Sequence, residues 1–104
     1  MQKLTQAMET MDISTSSLKV PPHSIEAEQS VLGGLMLDNN AWDQVSDIIT
    51  EEDFYRRDHR LIFRSIAELA GQLNPFDVVT LSENLNNNNQ LENAGGLGYL
   101  GTLA

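Results

Sequence analysis

The sequence predicts an all-α domain, a compact orthogonal bundle of about five to six short helices behind a disordered N-terminal tail. Three observations predict it. Apolar residues recur at three- and four-residue spacing in successive windows from Ile25 onward. Residues that favour helix N-termini, Ser24, Asp38, Thr50, Asp58 and Asp77, stand just ahead of those windows. No stretch alternates apolar and polar side chains as a half-buried strand would, and the β-rich run Phe76 to Thr80 follows a turn and continues into a helical pattern.

The elements follow in order. Residues 1–18 are rich in Gln, Thr, Ser and Met without an apolar period and are expected to be a disordered tail. Val20-Pro21-Pro22 then forms a stiff, extended lead-in, because proline fixes its own φ and biases the preceding residue away from helix. The ordered domain is expected over residues 19–104. Ser24 caps the first helix, Glu26 and Glu28 suit its dipole, and Ile25, Leu32, Leu35 and Met36 share a stripe. Gly33-Gly34 inside it costs about 1 kcal/mol per glycine relative to alanine, which close packing against a neighbouring helix, or a kink, would explain. Asp38-Asn39-Asn40 ends this helix and caps the next, whose buried face is Trp42, Val45 and Ile49. Trp42 is expected to be a core anchor, with Trp42→Ala costing roughly 3–5 kcal/mol.

Thr50 caps a short acidic turn ending at Phe54-Tyr55, and Asp58 caps a longer helix with Ile62, Ile66, Leu69 and Leu73 inward and Phe63 beside them. Gly71 and Asn74-Pro75 stop it. Asp77 caps a helix with Val78, Leu81 and Leu85 inward, and Asn89 takes the left-handed position that glycine usually fills at a helix end. The final segment begins at Gly95-Gly96 and places Leu97, Leu100 and Ala104 on one face; its pattern is unfinished at the last residue, as expected of a fragment.

The charge distribution limits function. The net charge is −9, and Lys3 and Lys19 balance Glu9 and Asp12, so the whole excess lies in residues 23–104, with four arginines against thirteen acids. Affinity for nucleic acid is mostly phosphate neutralisation by Lys and Arg, so the folded part should repel DNA and work by touching proteins. There is no cysteine, which excludes disulfides, thiolate zinc sites and cysteine nucleophiles and accords with a reducing, cytoplasmic setting. No apolar run is long enough to span a bilayer, and Met1 to Ser17 has no apolar core of a secretory signal.

Candidate chemistry is sparse. No G-x-x-x-x-G-K-[ST] cradles a phosphate, and the glycines at 95, 96 and 98 follow no strand and precede no lysine. His23 and His59 lack a second ligand at metal spacing, and Glu51-Glu52-Asp53 sits where acids stabilise a helix dipole. No catalytic residue, cofactor site or metal site is assigned. Arg57, Arg60 and Arg64 lie close on one helical face. They form either a solvated face, with Arg64 and Glu68 as an i,i+4 pair, or a basic stripe that meets the acidic surface of a partner or of another copy.

The run Val20-Pro21-Pro22-His23-Ser24-Ile25-Glu26-Ala27-Glu28-Gln29-Ser30-Val31-Leu32-Gly33-Gly34 resembles the start of the DnaB-type bacterial replicative helicases. The resemblance continues through Asp53-Phe54-Tyr55, His59, Ile62-Phe63, Asp77 to Leu81, Gln90-Leu91, and Gly95-Gly96 followed by Tyr99-Leu100; the run Asn86 to Asn89 departs from it. It implies a non-catalytic, N-terminal collar domain, with the helical hairpin and ATPase motor of the complete enzyme absent. The whole protein would be an ATP-dependent 5′–3′ DNA helicase using ATP and Mg, a homohexamer whose heads help dock primase and whose other partner is a helicase loader. The fragment itself would need no cofactor and would be a monomer or weak dimer. The resemblance further implies partner-binding roles for Glu26 and Tyr99, against which stand a helix-dipole role for the first and a boundary-aromatic role for the second. A free-standing small regulatory protein that mimics the helicase head is the alternative; a small acid–base hydrolase is a third.

Overall fold

The structure is a computed structural model and describes residues 24–104. The expectations for the tail, for Val20-Pro21-Pro22 and for His23 lie outside the described residues.

Helix α1 spans Ile25–Leu37. Ser24 is extended and its hydroxyl accepts a hydrogen bond from the Ala27 N–H at 3.1 Å, as its position before the apolar stripe predicts. Val31, Leu32, Leu35 and Met36 are buried and Ile25 is half-buried. Gly33 has a packing reason: a Cβ there would lie 2.2 Å from the Leu103 carbonyl oxygen. Asp38 leaves the helix in extended conformation, and its carboxylate accepts from Asn40 N–H to open a short 3-10 turn, Asn39–Ala41. Asn39 is a clasp between distant segments. Its amide donates to the Leu35 and Phe76 carbonyls at 3.0 and 2.9 Å, and its own oxygen accepts from Phe76 N–H at 3.0 Å.

Helix α2, Trp42–Val45, is a single turn. Val45 and Ile49 are buried as expected, but Trp42 is only half-buried, its ring 5.4 Å from Phe63 and 6.3 Å from Phe76. So short a helix at the edge of the bundle leaves one side of the indole without neighbours to cover it. Trp42→Ala is therefore expected to cost about 1–2 kcal/mol, below the range for a fully buried tryptophan. Urea unfolding measures it, and a loss above about 3 kcal/mol would restore Trp42 to the core.

Thr50 N–H donates to the Asp53 carboxylate at 2.8 Å and fixes the 3-10 turn Glu51–Asp53, which delivers Phe54 into the core. Helix α3 spans Arg57–Gly71, with Ile62, Phe63, Ile66 and Leu69 buried. Asp58 is not its cap. Arg56 occupies the flanking extended position, and Asp58 lies inside the first turn, where its carboxylate pairs with the Arg56 guanidinium and accepts from His59 N–H. Leu73 is not on the buried stripe either. Gly71 stays helical and the chain turns at Leu73, which is 94% exposed with φ 60. Asn74 N–H reaches the Leu69 carbonyl and Leu73 N–H the Ala70 carbonyl, a Schellman closure with leucine in the place that favours glycine. Leu73→Gly is expected to stabilise by about 0.5–1 kcal/mol, because relief of the left-handed strain outweighs the added freedom of the unfolded chain. A lowered midpoint of thermal unfolding would contradict this.

Helix α4 spans Val78–Asn87, capped by a reciprocal pair: Thr80 N–H donates to the Asp77 carboxylate and Asp77 N–H to the Thr80 hydroxyl, both at 2.9 Å. Leu81 and Leu85 are buried and Val78 is half-buried. Asn89 takes φ 58 while Gln90 N–H bonds the Leu85 carbonyl, as expected of an asparagine at this position. A turn over 90–95 ends at Gly95, whose φ of 103 and whose closeness to the Tyr99 ring both demand glycine. Helix α5 spans Gly96–Leu103. Its buried face is Leu100 and Leu103, with Leu97 57% exposed and Ala104 exposed, so the expected face of Leu97, Leu100 and Ala104 is rotated. The phase is set by the two left-handed glycines at its start and by the close approach of Leu103 to Gly33. The five helices enclose one core, and no strand occurs among the described residues, in agreement with the predicted class.

Candidate interaction surfaces

Two polar features stand out. The first is a buried chain of hydrogen bonds joining α1, α3 and α5. Glu28, completely buried, accepts from Tyr55 N–H at 2.8 Å, Arg56 N–H at 3.3 Å and His59 Nδ1 at 2.7 Å. His59, also completely buried, meets the Tyr99 hydroxyl through Nε2 at 2.6 Å, and Gln29 Nε2 donates to that hydroxyl at 3.2 Å. An ionised carboxylate only accepts, so Nδ1–H donates to Glu28, and the Tyr99 hydroxyl bonds Nε2 while accepting from Gln29. The imidazole and phenol rings stack at 5.8 Å, and the Arg56 guanidinium lies 5.4 Å from the Tyr99 ring centre.

The chain resembles an acid–base relay in composition, but Glu28 and His59 are closed to solvent. Its chemistry is structural, since it satisfies a buried carboxylate and pins three helices. Sequence reasoning assigned Glu28 to the helix dipole and gave His59 no partner. The available signal was positional. Glu28 falls on the stripe of Leu32 and Leu35, and His59 falls on that of Ile62, Phe63 and Ile66, so each is a polar residue on an apolar face.

Of the expected partner-binding residues, Tyr99 is half-buried and held by these hydrogen bonds, while Glu26 is exposed on α1. Glu26, Gln29, Ser30, Thr102 and Leu103 line one shallow recess between α1 and α5, so Gln29 connects the surroundings of Glu26 to the Tyr99 hydroxyl.

The second feature is the arginine face of α3. Arg57, Arg60 and Arg64 line a recess of about 430 Å³ with Leu61, and Gln90 and Asn93 line it from the turn after α4. The three arginines thus come together as their spacing predicts. Arg64 does not pair with Glu68. It forms a two-pronged pair with Glu51, Nε at 3.0 Å and a terminal nitrogen at 2.7 Å, which holds its guanidinium above the usual range. Glu68 accepts from the Asn84 amide at 2.9 Å. The helix spacing was right for an i,i+4 pair, but the capped turn over 51–53 brings a competing carboxylate across from another segment. Arg60 Nε donates to the Phe54 carbonyl at 2.6 Å, and Arg57 has no carboxylate partner among the described residues. No cluster of His, Cys, Asp or Glu among the described residues is arranged to hold a metal ion.

Fold and surfaces together describe a small all-α domain with a buried polar network and an arginine-lined recess. The chain belongs to the DnaB-like helicase N-terminal domain family, whose model matches residues 20–104. It is 52% identical over 87 residues to the replicative DNA helicase DnaB of Buchnera aphidicola subsp. Schizaphis graminum, which covers 84% of this chain and 19% of that protein. It is 39% identical over 97 residues to the DnaB of Haemophilus influenzae, covering 93% of this chain and 21% of that one. The chain therefore spans about a fifth of the length of these relatives. The crystal structure of the N-terminal domain of DnaB helicase from Mycobacterium tuberculosis superposes with a TM-score of 0.76 at 39% identity, over 81% of this chain and 58% of that one. No helix among the described residues is long and apolar enough to cross a membrane.

Proposed function

We propose that this chain is the collar domain of a hexameric replicative DNA helicase, a non-catalytic module that mediates head-to-head assembly and docks primase in the cytoplasm. The observation that supports this most is the match of the whole helical domain to the first part of DnaB proteins, ahead of the segments that would carry an ATPase. In this reading ATP and Mg belong to the motor of the complete protein and the collar holds no cofactor. A helicase loader and the other subunits are its further partners. The charge favours protein contacts over DNA, since thirteen acids surround four arginines in residues 23–104. Glu26 and Tyr99 would offer one contact region and Arg57, Arg60 and Arg64 another.

Titration of the isotope-labelled domain with primase tests the docking role. Amide shifts gathered around Glu26, Tyr99 or the arginine face are expected, and no shift at saturating primase would remove primase from the proposal. Sedimentation over a micromolar concentration series tests assembly. The expected result is a monomer or weak two-fold dimer, because a chain with a net charge of −9 repels its own copy at low salt. A concentration-independent hexamer would show that the collar alone closes the ring.

A further inference from the structure

Three of the four arginines in residues 23–104 line a single recess on a chain whose net charge is −9. Positive charge is thus concentrated at one place on an otherwise acidic surface. The facing wall is also suited to an anion. The Asn93 amide donates to the Gln90 side-chain oxygen at 2.9 Å, which commits that oxygen and leaves the Gln90 NH₂ as a donor. A second recess of about 240 Å³ shares Leu61, Arg64 and Gln90 but is also lined by Glu68, so an anion is favoured at the Arg57 to Arg64 part alone. Helical rise sets Arg57 and Arg64 about 10 Å apart along α3. Alternate side chains of an extended peptide repeat about every 7 Å, less than the span from Arg57 to Arg64, so the long arginine side chains must lean inward to meet two carboxylates.

We propose that this groove, with Arg57, Arg60 and Arg64 on one wall and Gln90 and Asn93 on the other, docks an extended acidic segment of a partner protein through its side-chain carboxylates. Arg57 is the principal ligand, Arg60 contributes its terminal nitrogens, and Arg64 exchanges part of its pairing with Glu51 for the incoming carboxylate. Leu61 supplies an apolar contact for the peptide's methylenes. Nucleic acid is the disfavoured occupant, because the surrounding carboxylates repel a continuous phosphate backbone. The inference rests on the reading of this chain as an interaction domain and adds the chemistry of the partner.

The test is titration of the isotope-labelled chain with hexaglutamate at low salt, followed by NMR. Shifts confined to Arg57, Arg60, Leu61, Arg64, Gln90 and Asn93 are expected, and Arg57→Ala should weaken binding about fivefold or more with the helical spectrum intact. Arg57→Lys should also weaken it, to a smaller extent, because an ammonium lacks the planar fork. Gln90→Ala is a second variant, at a half-buried side chain of the opposite wall. Absent or dispersed shifts, Arg57→Ala without effect, or displacement of hexaglutamate by equimolar inorganic phosphate or oligothymidylate would overturn the proposal. Primase binding that survives where hexaglutamate fails would keep the collar reading and discard this one. Hexaglutamate binding without primase binding would keep this inference and remove primase alone from the collar reading.

Discussion

Glu28→Ala is expected to destabilise the domain by about 3–5 kcal/mol, the range found when one partner of a buried charged network is removed. The carboxylate is completely buried and accepts from two backbone N–H groups and the His59 imidazole. Alanine deletes all three acceptor contacts, and each stranded donor costs about 1–3 kcal/mol if water does not reach it. The effects do not simply add, since the network acts as a unit and its loss lets the segment over 54–56 relax. A domain of this size has about 5–15 kcal/mol in total, so the variant should sit near the edge of folding. Glu28→Gln keeps one acceptor oxygen and should lose less. Urea denaturation of the three proteins reads the order, and a Glu28→Ala loss under about 1 kcal/mol would mean that water substitutes for the carboxylate.

Gly33→Ala is expected to lose about 2–3 kcal/mol, against the sign that helix propensity alone gives. In an exposed helix interior the change should gain about 1 kcal/mol. Here the added carbon would lie 2.2 Å from the Leu103 carbonyl oxygen and 3.3 Å from its carbon. Both are backbone atoms, so no flexible side chain can move aside, and α5 must shift as a unit. Gly98→Ala is the control, because nothing stands within 4 Å of a Cβ at Gly98 in α5 and propensity should act unopposed. Thermal unfolding that moves in the same upward direction for both variants would show that α5 drifts freely on α1.

What the sequence made legible was local. Ser24, Asp77 and Thr50 act within three residues of themselves, and Asn89 supplies its left-handed turn through a property of its own side chain. The stripe of α3 was readable for the same reason up to Leu69. What escaped was set by segments far apart in the chain. Glu28 and His59 are separated by 31 positions, and an acid in a first helical turn has an adequate local explanation that hides a remote one. Arg64 had two carboxylates within reach, and spacing along one helix favoured Glu68 where the fold delivers Glu51. Leu73 was misplaced because its apolar character continued the stripe one turn beyond the helix that carries it. The candidate surface was half legible: helical spacing brought the three arginines together, but nothing local announced Gln90 and Asn93 opposite them.

The contacts of α5 with α1 also govern how the domain comes into being. Gln29 bonds a tyrosine 70 positions later, and Gly33 is shaped to receive Leu103. Such closures delay folding, because the intervening chain must be ordered before the contact returns any stability. A chain emerging from the ribosome can wind α1 and α3 early and set Glu28 against His59. It then holds an unfinished interior, open along one side, until the eight residues of α5 have cleared the exit tunnel. Synthesis rate across α4 and the turn after it therefore sets how long that open side is available to chaperones or to the wrong neighbour.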